Sequence, residues 1–138
     1  MSDNIFIDTN VIVYARVQSD LVKHEQAKSL LVTHAKDNIF ISTQVLSESY
    51  NAMRKNGIDE IDIRKTIEGC ITKMNVIPVD IDTIRQCFKL KDGYGFSYWD
   101  SLILSAALLG NCSIIYSEDM KHGQVIDGRM KIVNPFSI

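Results

Sequence analysis

The chain has no long hydrophobic run. Its longest apolar stretch, Leu102 to Leu109, is interrupted by Ser105 and falls far short of the ~20 residues that a membrane-spanning helix needs. No apolar segment follows a basic start, because Asp3 and Asp8 interrupt the N-terminal region. No secretory leader is expected, and the expected location is cytoplasmic. Cysteine is scarce: Cys70, Cys87 and Cys112 are odd in number and widely spaced. They suit neither a disulfide framework nor a zinc site, so reduced core thiols are expected. Charge of one sign is lacking too. The formal sum is −2, whereas nucleic-acid-binding domains are usually basic; a cluster of carboxylates inside a site would bias that sum. Glycine is absent from Asp8 to Val13, which excludes the phosphate-cradling loop that nucleotide binders place after their first strand. No linker or low-complexity segment divides the chain, and one domain over 1–138 is expected.

What is present is an ordinary globular composition. Hydrophobic residues make up 46% and charged residues 23% of 138 residues, enough for a substantial core. The tetrapeptide NIFI occurs twice, at Asn4 to Ile7 and at Asn38 to Ile41. Both copies read as short buried strands, as do Val76 to Val79, Ser113 to Tyr116 and Lys131 to Val133. Pro78 suits an edge strand. Helical spacing of apolar residues covers Lys23 to Ala35, Thr43 to Lys55, Ile61 to Met74, Asp82 to Leu90 and Ser97 to Leu109. The second of these stops at Asn56-Gly57, a good C-terminal signal. The last is apolar nearly all round and should be buried. Strands alternating with helices indicate a parallel sheet covered by helices, an α/β fold.

In such sheets ligands bind beyond the C-terminal ends of the strands. Asp8 follows the first strand directly, and Asp119 follows the fourth. Either one alone has a simpler explanation as a helix N-cap. Glu48 is harder to explain. It lies three residues after Val45 and four before Ala52, on or beside the buried stripe of its helix. A buried carboxylate is costly unless paired with a cation; an ion pair with Arg54 or a lysine is the plain alternative. Asp100 shares a face with Ile103, Leu104 and Ala107 in the first turn of the most apolar helix, where an acid also complements the helix dipole. Four carboxylates at one rim repel each other and drive proton uptake. A hard divalent ion such as Mg²⁺ or Mn²⁺ removes the conflict. That composition suits metal-assisted phosphodiester hydrolysis.

The same stretches resemble the PIN domain, a metal-dependent nuclease family. Phe6-Ile7-Asp8-Thr9-Asn10-Val11-Ile12 is similar to its opening motif. Ser42 to Glu48 resembles the segment with the second acid, and Tyr98-Trp99-Asp100-Ser101 the one in which an Asp opens a helix. Tyr116-Ser117-Glu118-Asp119-Met120 resembles the final hydroxyl-x-Asp segment. Its size, and the continuation Lys121-His122-Gly123-Gln124, are similar to those of the VapC-type toxins. The resemblance implies a three-layer α/β/α fold with strand order 3-2-1-4-5. It implies a ribonuclease acting on RNA with Mg²⁺ or Mn²⁺, a homodimer, and a VapB-like antitoxin that blocks the site. By resemblance, Asp8, Glu48, Asp100 and Asp119 are catalytic and bind the metal. Thr9 or Ser117 would hold a carboxylate or a water through its hydroxyl. Asn10 would do likewise or contact phosphate. Glu118 adjoins Asp119 and is expected to be solvated.

Arg16, Arg54, Lys89, Lys91, Lys121 and His122 either hold phosphates or are ordinary surface charges. Gly93-Tyr94-Gly95-Phe96 either offers rings to unpaired bases or is a turn with buried rings. His24 and His34 lack metal-ligand spacing and read as structural. The segments Lys23 to Ala35 and Ile61 to Met74 are candidate docking helices for a second copy or an antitoxin. Among rival chemistries, a haloacid-dehalogenase-type phosphatase needs a second acid two places after the first, where Asn10 stands. The remaining rival is a catalytically silent interaction module of the same fold.

Overall fold

A computed structural model of the chain describes residues 3–137; residues 1, 2 and 138 of the expected 1–138 span lie outside the described residues. The order of elements is β1 (Asn4–Ile7), α1 (Thr9–Arg16), α2 (Leu21–Thr33), β2 (Asn38–Ser42), α3 (Thr43–Lys55), α4 (Glu60–Lys73), β3 (Asn75–Ile77), α5 (Ile81–Tyr94), α6 (Tyr98–Leu109), β4 (Ile114–Tyr116), β5 (Val125–Ile126) and β6 (Met130–Val133).

The strands form one sheet in the order β3-β2-β1-β4-β6-β5. All neighbours are parallel except the β5–β6 hairpin. The five expected strands keep their expected order, and the short β5 is added outside them as an antiparallel edge. The two NIFI segments lie side by side, pairing Asn4 with Asn38, Ile5 with Ile39 and Phe6 with Phe40. The Asn38 amide donates to Asn4 Oδ1 at 3.0 Å, and the Asn4 amide donates to the Gly110 carbonyl at 3.1 Å. The repeat thus joins the two central strands and ties them to the end of α6.

Ile5, Phe6 and Ile7 are all buried. Adjacent side chains of a strand point to opposite faces, so both faces of β1 are covered. The helices fall into two packed groups, one chaining α2, α1, α3 and α4 and one pairing α5 with α6. Strands buried on both faces read as continuous apolar runs rather than alternations, which is why the sequence shows NIFI and not an alternating pattern. Each such side chain contributes about 1.5–3 kcal/mol of burial. Helix α6 is the buried one, with every residue from Ser101 to Leu108 buried.

Local signals end the elements. Helix α3 closes at Asn56, and Gly57 follows with φ +79°. Helix α5 runs four residues past Leu90, to a left-handed Gly95 at φ +75°. The segment Gly93 to Phe96 is therefore the end of a helix and its cap. The three cysteines are free and buried. Pro78 follows the edge strand β3 directly. Among the described residues, no helix is long and apolar enough to cross a membrane.

Candidate active site

Because β1, β2 and β4 are parallel neighbours, their C-terminal ends share one edge of the sheet. Asp8 emerges there as the N-cap of α1, with extended backbone. Its Oδ1 accepts from the Thr9 N–H at 2.7 Å, and its Oδ2 accepts from the Ser117 hydroxyl at 2.9 Å. A capping aspartate ordinarily stands in water, where the helix dipole keeps it ionised. Asp8 is only 6% exposed. Burial pushes its carboxyl up from 3.8 to about 6; the two hydrogen bonds oppose this, while the charges of Glu48 and Asp100 add to it.

Glu48 stands in the second turn of α3, half-buried. Its Oε1 accepts from the Thr9 hydroxyl at 2.9 Å and its Oε2 from the Gln44 amide at 3.1 Å. The alternative pair with Arg54 does not form. Six residues on, Arg54 lies about 120° around the helix and about 9 Å along it. Asp100 opens α6 and is half-buried; its backbone N–H donates to Ser97 Oγ at 3.1 Å. Its carboxyl is raised first by burial, against a bond with Ser97, and then by the charges of Asp119 and Glu48. Asp119 is exposed beyond β4 and accepts from the Asn10 amide at 3.1 Å. Glu118 points elsewhere, in an ion pair with Lys23 at 2.8 Å.

The four carboxylates come from four segments of the chain, yet Asp8 feels the charges of Glu48 and Asp100, and Asp100 those of Asp119 and Glu48. Asp8, Glu48 and Asp119 each accept a hydrogen bond from a neutral side chain of another segment or of the same helix. Among the described residues none of the four is in an ion pair. The rim is open. A pocket of about 540 Å³ lies between α2 and the ends of β4 and β6, and none of the four acids lines it.

Two neighbours of this rim carry no obvious signal in the sequence. Gln44 donates both to Glu48 and, at 3.2 Å, to the Trp99 carbonyl, so one amide spans from α3 to the first turn of α6. Its position four residues before Glu48 is the only local hint. Trp99 itself is exposed beside Asp100. Other candidates have partners of their own. Arg16 donates to the Thr66 hydroxyl at 3.0 Å, and His122 Nδ1 accepts from the Asn134 N–H at 2.9 Å. His24 lies 2.7 Å from the Tyr14 carbonyl, and His34 bridges Asp37 and the Tyr116 hydroxyl. The Tyr94 hydroxyl accepts from the Asp127 N–H at 2.8 Å, and Phe96 packs against the core.

The donor set is all oxygen, which suits a hard divalent cation. Among the described residues no ion pair offsets repulsion within it, so such a cation would relieve the raised carboxyls of Asp8 and Asp100. The Gln44 Oε1 atom is buried without a hydrogen-bond partner, a further oxygen beside Glu48. Among the described residues, no three acidic, histidine or cysteine side chains stand close enough to hold one ion directly. Mg²⁺ does not require that, since it keeps several waters beside one or two carboxylates. The residues fit the ion in chemistry.

The PIN domain family matches residues 5–126 of the chain. No curated protein matches it. Several solved structures share the fold. A toxin–antitoxin complex from Klebsiella pneumoniae aligns with TM-score 0.71 at 21% identity, covering 97% of this chain and 99% of that one. A sarcin–ricin-loop-cleaving VapC toxin from Mycobacterium tuberculosis aligns with TM-score 0.66 at 19% identity, covering 83% and 89%. DNA-bound VapBC from Salmonella typhimurium aligns with TM-score 0.67 at 15% identity, covering 96% and 97%. Likeness at these identities establishes the fold.

Proposed function

The chain belongs to the PIN domain family, and from that membership we propose that it is a metal-dependent endoribonuclease, the toxin of a VapBC-type toxin–antitoxin pair. One observation carries the reading: four carboxylates from four segments share a sheet edge, and among the described residues no ion pair compensates them. A purely structural use would not repay the cost of burying Asp8 beside two like charges.

In this reading Asp8, Glu48, Asp100 and Asp119 hold Mg²⁺ or Mn²⁺. When bound, the ion supplies positive charge against the phosphodiester and acidifies a water for its hydrolysis. The chain's other side chains set the geometry. Ser117 orients Asp8, and Thr9 with Gln44 orients both oxygens of Glu48. Asn10 holds Asp119 or turns to a phosphate. Supporting side chains of this sort commonly decide affinity and rate by one or two orders of magnitude.

The partner reading follows from the neighbours, which are toxin–antitoxin assemblies. A VapB-like antitoxin would cover apolar residues left open on α2 and α4, where Leu21, Val22, Val32 and Ile61 are exposed. A homodimer in the cytoplasm completes the proposal. The second reading, a silent PIN-fold interaction module, draws on the acids being too far apart as they stand to hold one ion directly.

Incubating the protein with total RNA and Mg²⁺ and mapping the cut ends separates the two. The nuclease reading expects discrete ends from the wild type and none from Asp100→Asn. It also expects Mn²⁺ to raise the melting temperature of the wild type but not of Asp8→Asn. Intact RNA with a normally folded wild type would leave the binding module.

A further inference from the structure

The ammonium of one lysine joins four segments of the chain. Lys23 stands in the first turn of α2, where a positive charge opposes the helix dipole. Local helix energetics therefore do not explain it. Its Nζ lies 2.8 Å from Glu118 Oε2, and 5.1 and 5.6 Å from the ring centroids of Tyr14 and Phe136. The two rings meet edge to face, with centroids 5.3 Å apart at 73°. Tyr14 belongs to α1, Glu118 follows β4 and Phe136 follows β6. Aromatic ring faces attract a cation, so the rings and the carboxylate draw on the same charge.

A lysine–carboxylate pair standing in water contributes little. This one is partly enclosed. The side chains of Lys23 and Glu118 are 31% and 22% exposed. Glu118 Oε2 is closed off from water, and its contact with Nζ is a charge pair rather than an aligned hydrogen bond. A buried carboxylate oxygen that loses its cation is costly and turns out toward water. The consequence falls on the next residue. After β4 the chain bends through Ser117, Glu118, Asp119 and Met120 without helix or strand. Ser117 is buried and donates to Asp8, and Met120 is buried in the core. Asp119 is exposed, and its carboxylate rests on the Asn10 amide at 3.1 Å. Its position is therefore set largely by the backbone that carries it, which Glu118 ties to α2. Farther along, His122 accepts the Asn134 N–H at 2.9 Å, joining the same stretch to the segment with Phe136.

We propose that Lys23 is a positioning residue of the acidic rim. Through Glu118 it fixes the bend that sets Asp119, and Tyr14 and Phe136 keep its ammonium in place. Glu118 thus serves the rim without facing it. The role rests on the nuclease reading for its purpose, since there Asp119 helps to hold the cation. The clamp itself belongs to the metal-free chain and is measured without metal or RNA. The competing account is a plain stabilising pair that leaves Asp119 where it was.

Two measurements decide between them. In EDTA, ¹⁵N relaxation reads the backbone order of Glu118 and Asp119 in the wild type, Lys23→Met and Lys23→Arg. Methionine keeps the apolar stem and removes the charge. The order parameters should fall from about 0.85 toward about 0.6 in Lys23→Met, with α6 unchanged, and Lys23→Arg should restore them. Glu118→Gln breaks the pair from the other side and should loosen the bend in the same way. Mn²⁺ affinity, followed by titration, should weaken roughly three- to tenfold in Lys23→Met, less than for a side chain that touches a ligand, and Lys23→Arg should recover most of it. In an Asp119→Asn background, Lys23→Met should cost nothing further, because it acts through that carboxylate. Unchanged order at Glu118 and Asp119 in Lys23→Met overturns the clamp. A loosened bend with normal Mn²⁺ affinity, or an equal loss with and without Asp119, leaves a stabilising pair only and also overturns it. If the wild type binds no Mn²⁺ and cuts no RNA, the nuclease reading fails, and the relaxation data alone decide the clamp.

Discussion

Asp8→Asn should make the metal-free protein more stable at neutral pH, although it removes a residue central to the proposed chemistry. The carboxyl of Asp8 is raised from 3.8 to about 6, first by burial and then by Glu48 and Asp100. Between these values the folded chain keeps a proton that the unfolded chain has lost. Stability therefore falls as pH rises from about 4 to about 6, and the penalty is constant above that. At about 1.36 kcal/mol for each pH unit, the ionised side chain costs the fold about 3 kcal/mol. Asparagine has the same shape and no charge. Its oxygen still accepts from the Thr9 N–H, and its amide donates to Ser117 Oγ once that hydroxyl turns. Allowing for imperfect bonds, the variant should gain on the order of 1–3 kcal/mol at pH 7.5 in EDTA, or roughly 5–10 °C in Tm. The gap should close near pH 4, where the wild type is protonated. Urea or thermal melts at several pH values measure it directly. A variant less stable at every pH, or a gap that ignores pH, would refute the claim that Asp8 is held against its own charge.

The other expectations are simpler. Thr9→Val removes the hydroxyl bonded to Glu48 Oε1 and should lower Mn²⁺ affinity, followed by titration, by about 10–100-fold with little change in fold. Ile115→Ala empties a fully buried position in the middle of the sheet, and its unfolding free energy in urea should drop by about 2–5 kcal/mol. Burial pushes the Cys112 thiol up to about 12 and raises those of Cys70 and Cys87. A thiol reagent at pH 8 should find almost no reactive cysteine until denaturant is added.

The fold was largely legible from the chain because its evidence is local. Buried strands showed as short apolar runs, and α3 was readable from Thr43 to Lys55 with its Asn56-Gly57 stop. Helix α1 was less so: Val11, Ile12 and Val13 are β-branched, like strand residues, and only the Asp8 cap and the packing of those three side chains make them helical. The β5 strand is two residues long and exists by pairing with β6, so no period could reveal it. The end of α5 was hidden because a left-handed glycine, and not an early break, terminates the helix.

The sequence by itself determined that acids sit at the ends of strands one and four and in the helices beginning near them, because strand and helix periods follow from neighbouring residues. Only the tertiary structure decided what each acid experiences. Asp8 is buried while Asp119 is exposed, and Glu118 turns to Lys23. Thr9 meets Glu48 across 39 residues of chain, and Ser117 meets Asp8 across 109. Such pairings depend on which strands lie side by side and how deeply the helices cover them, and no spacing along the chain encodes that distance in space.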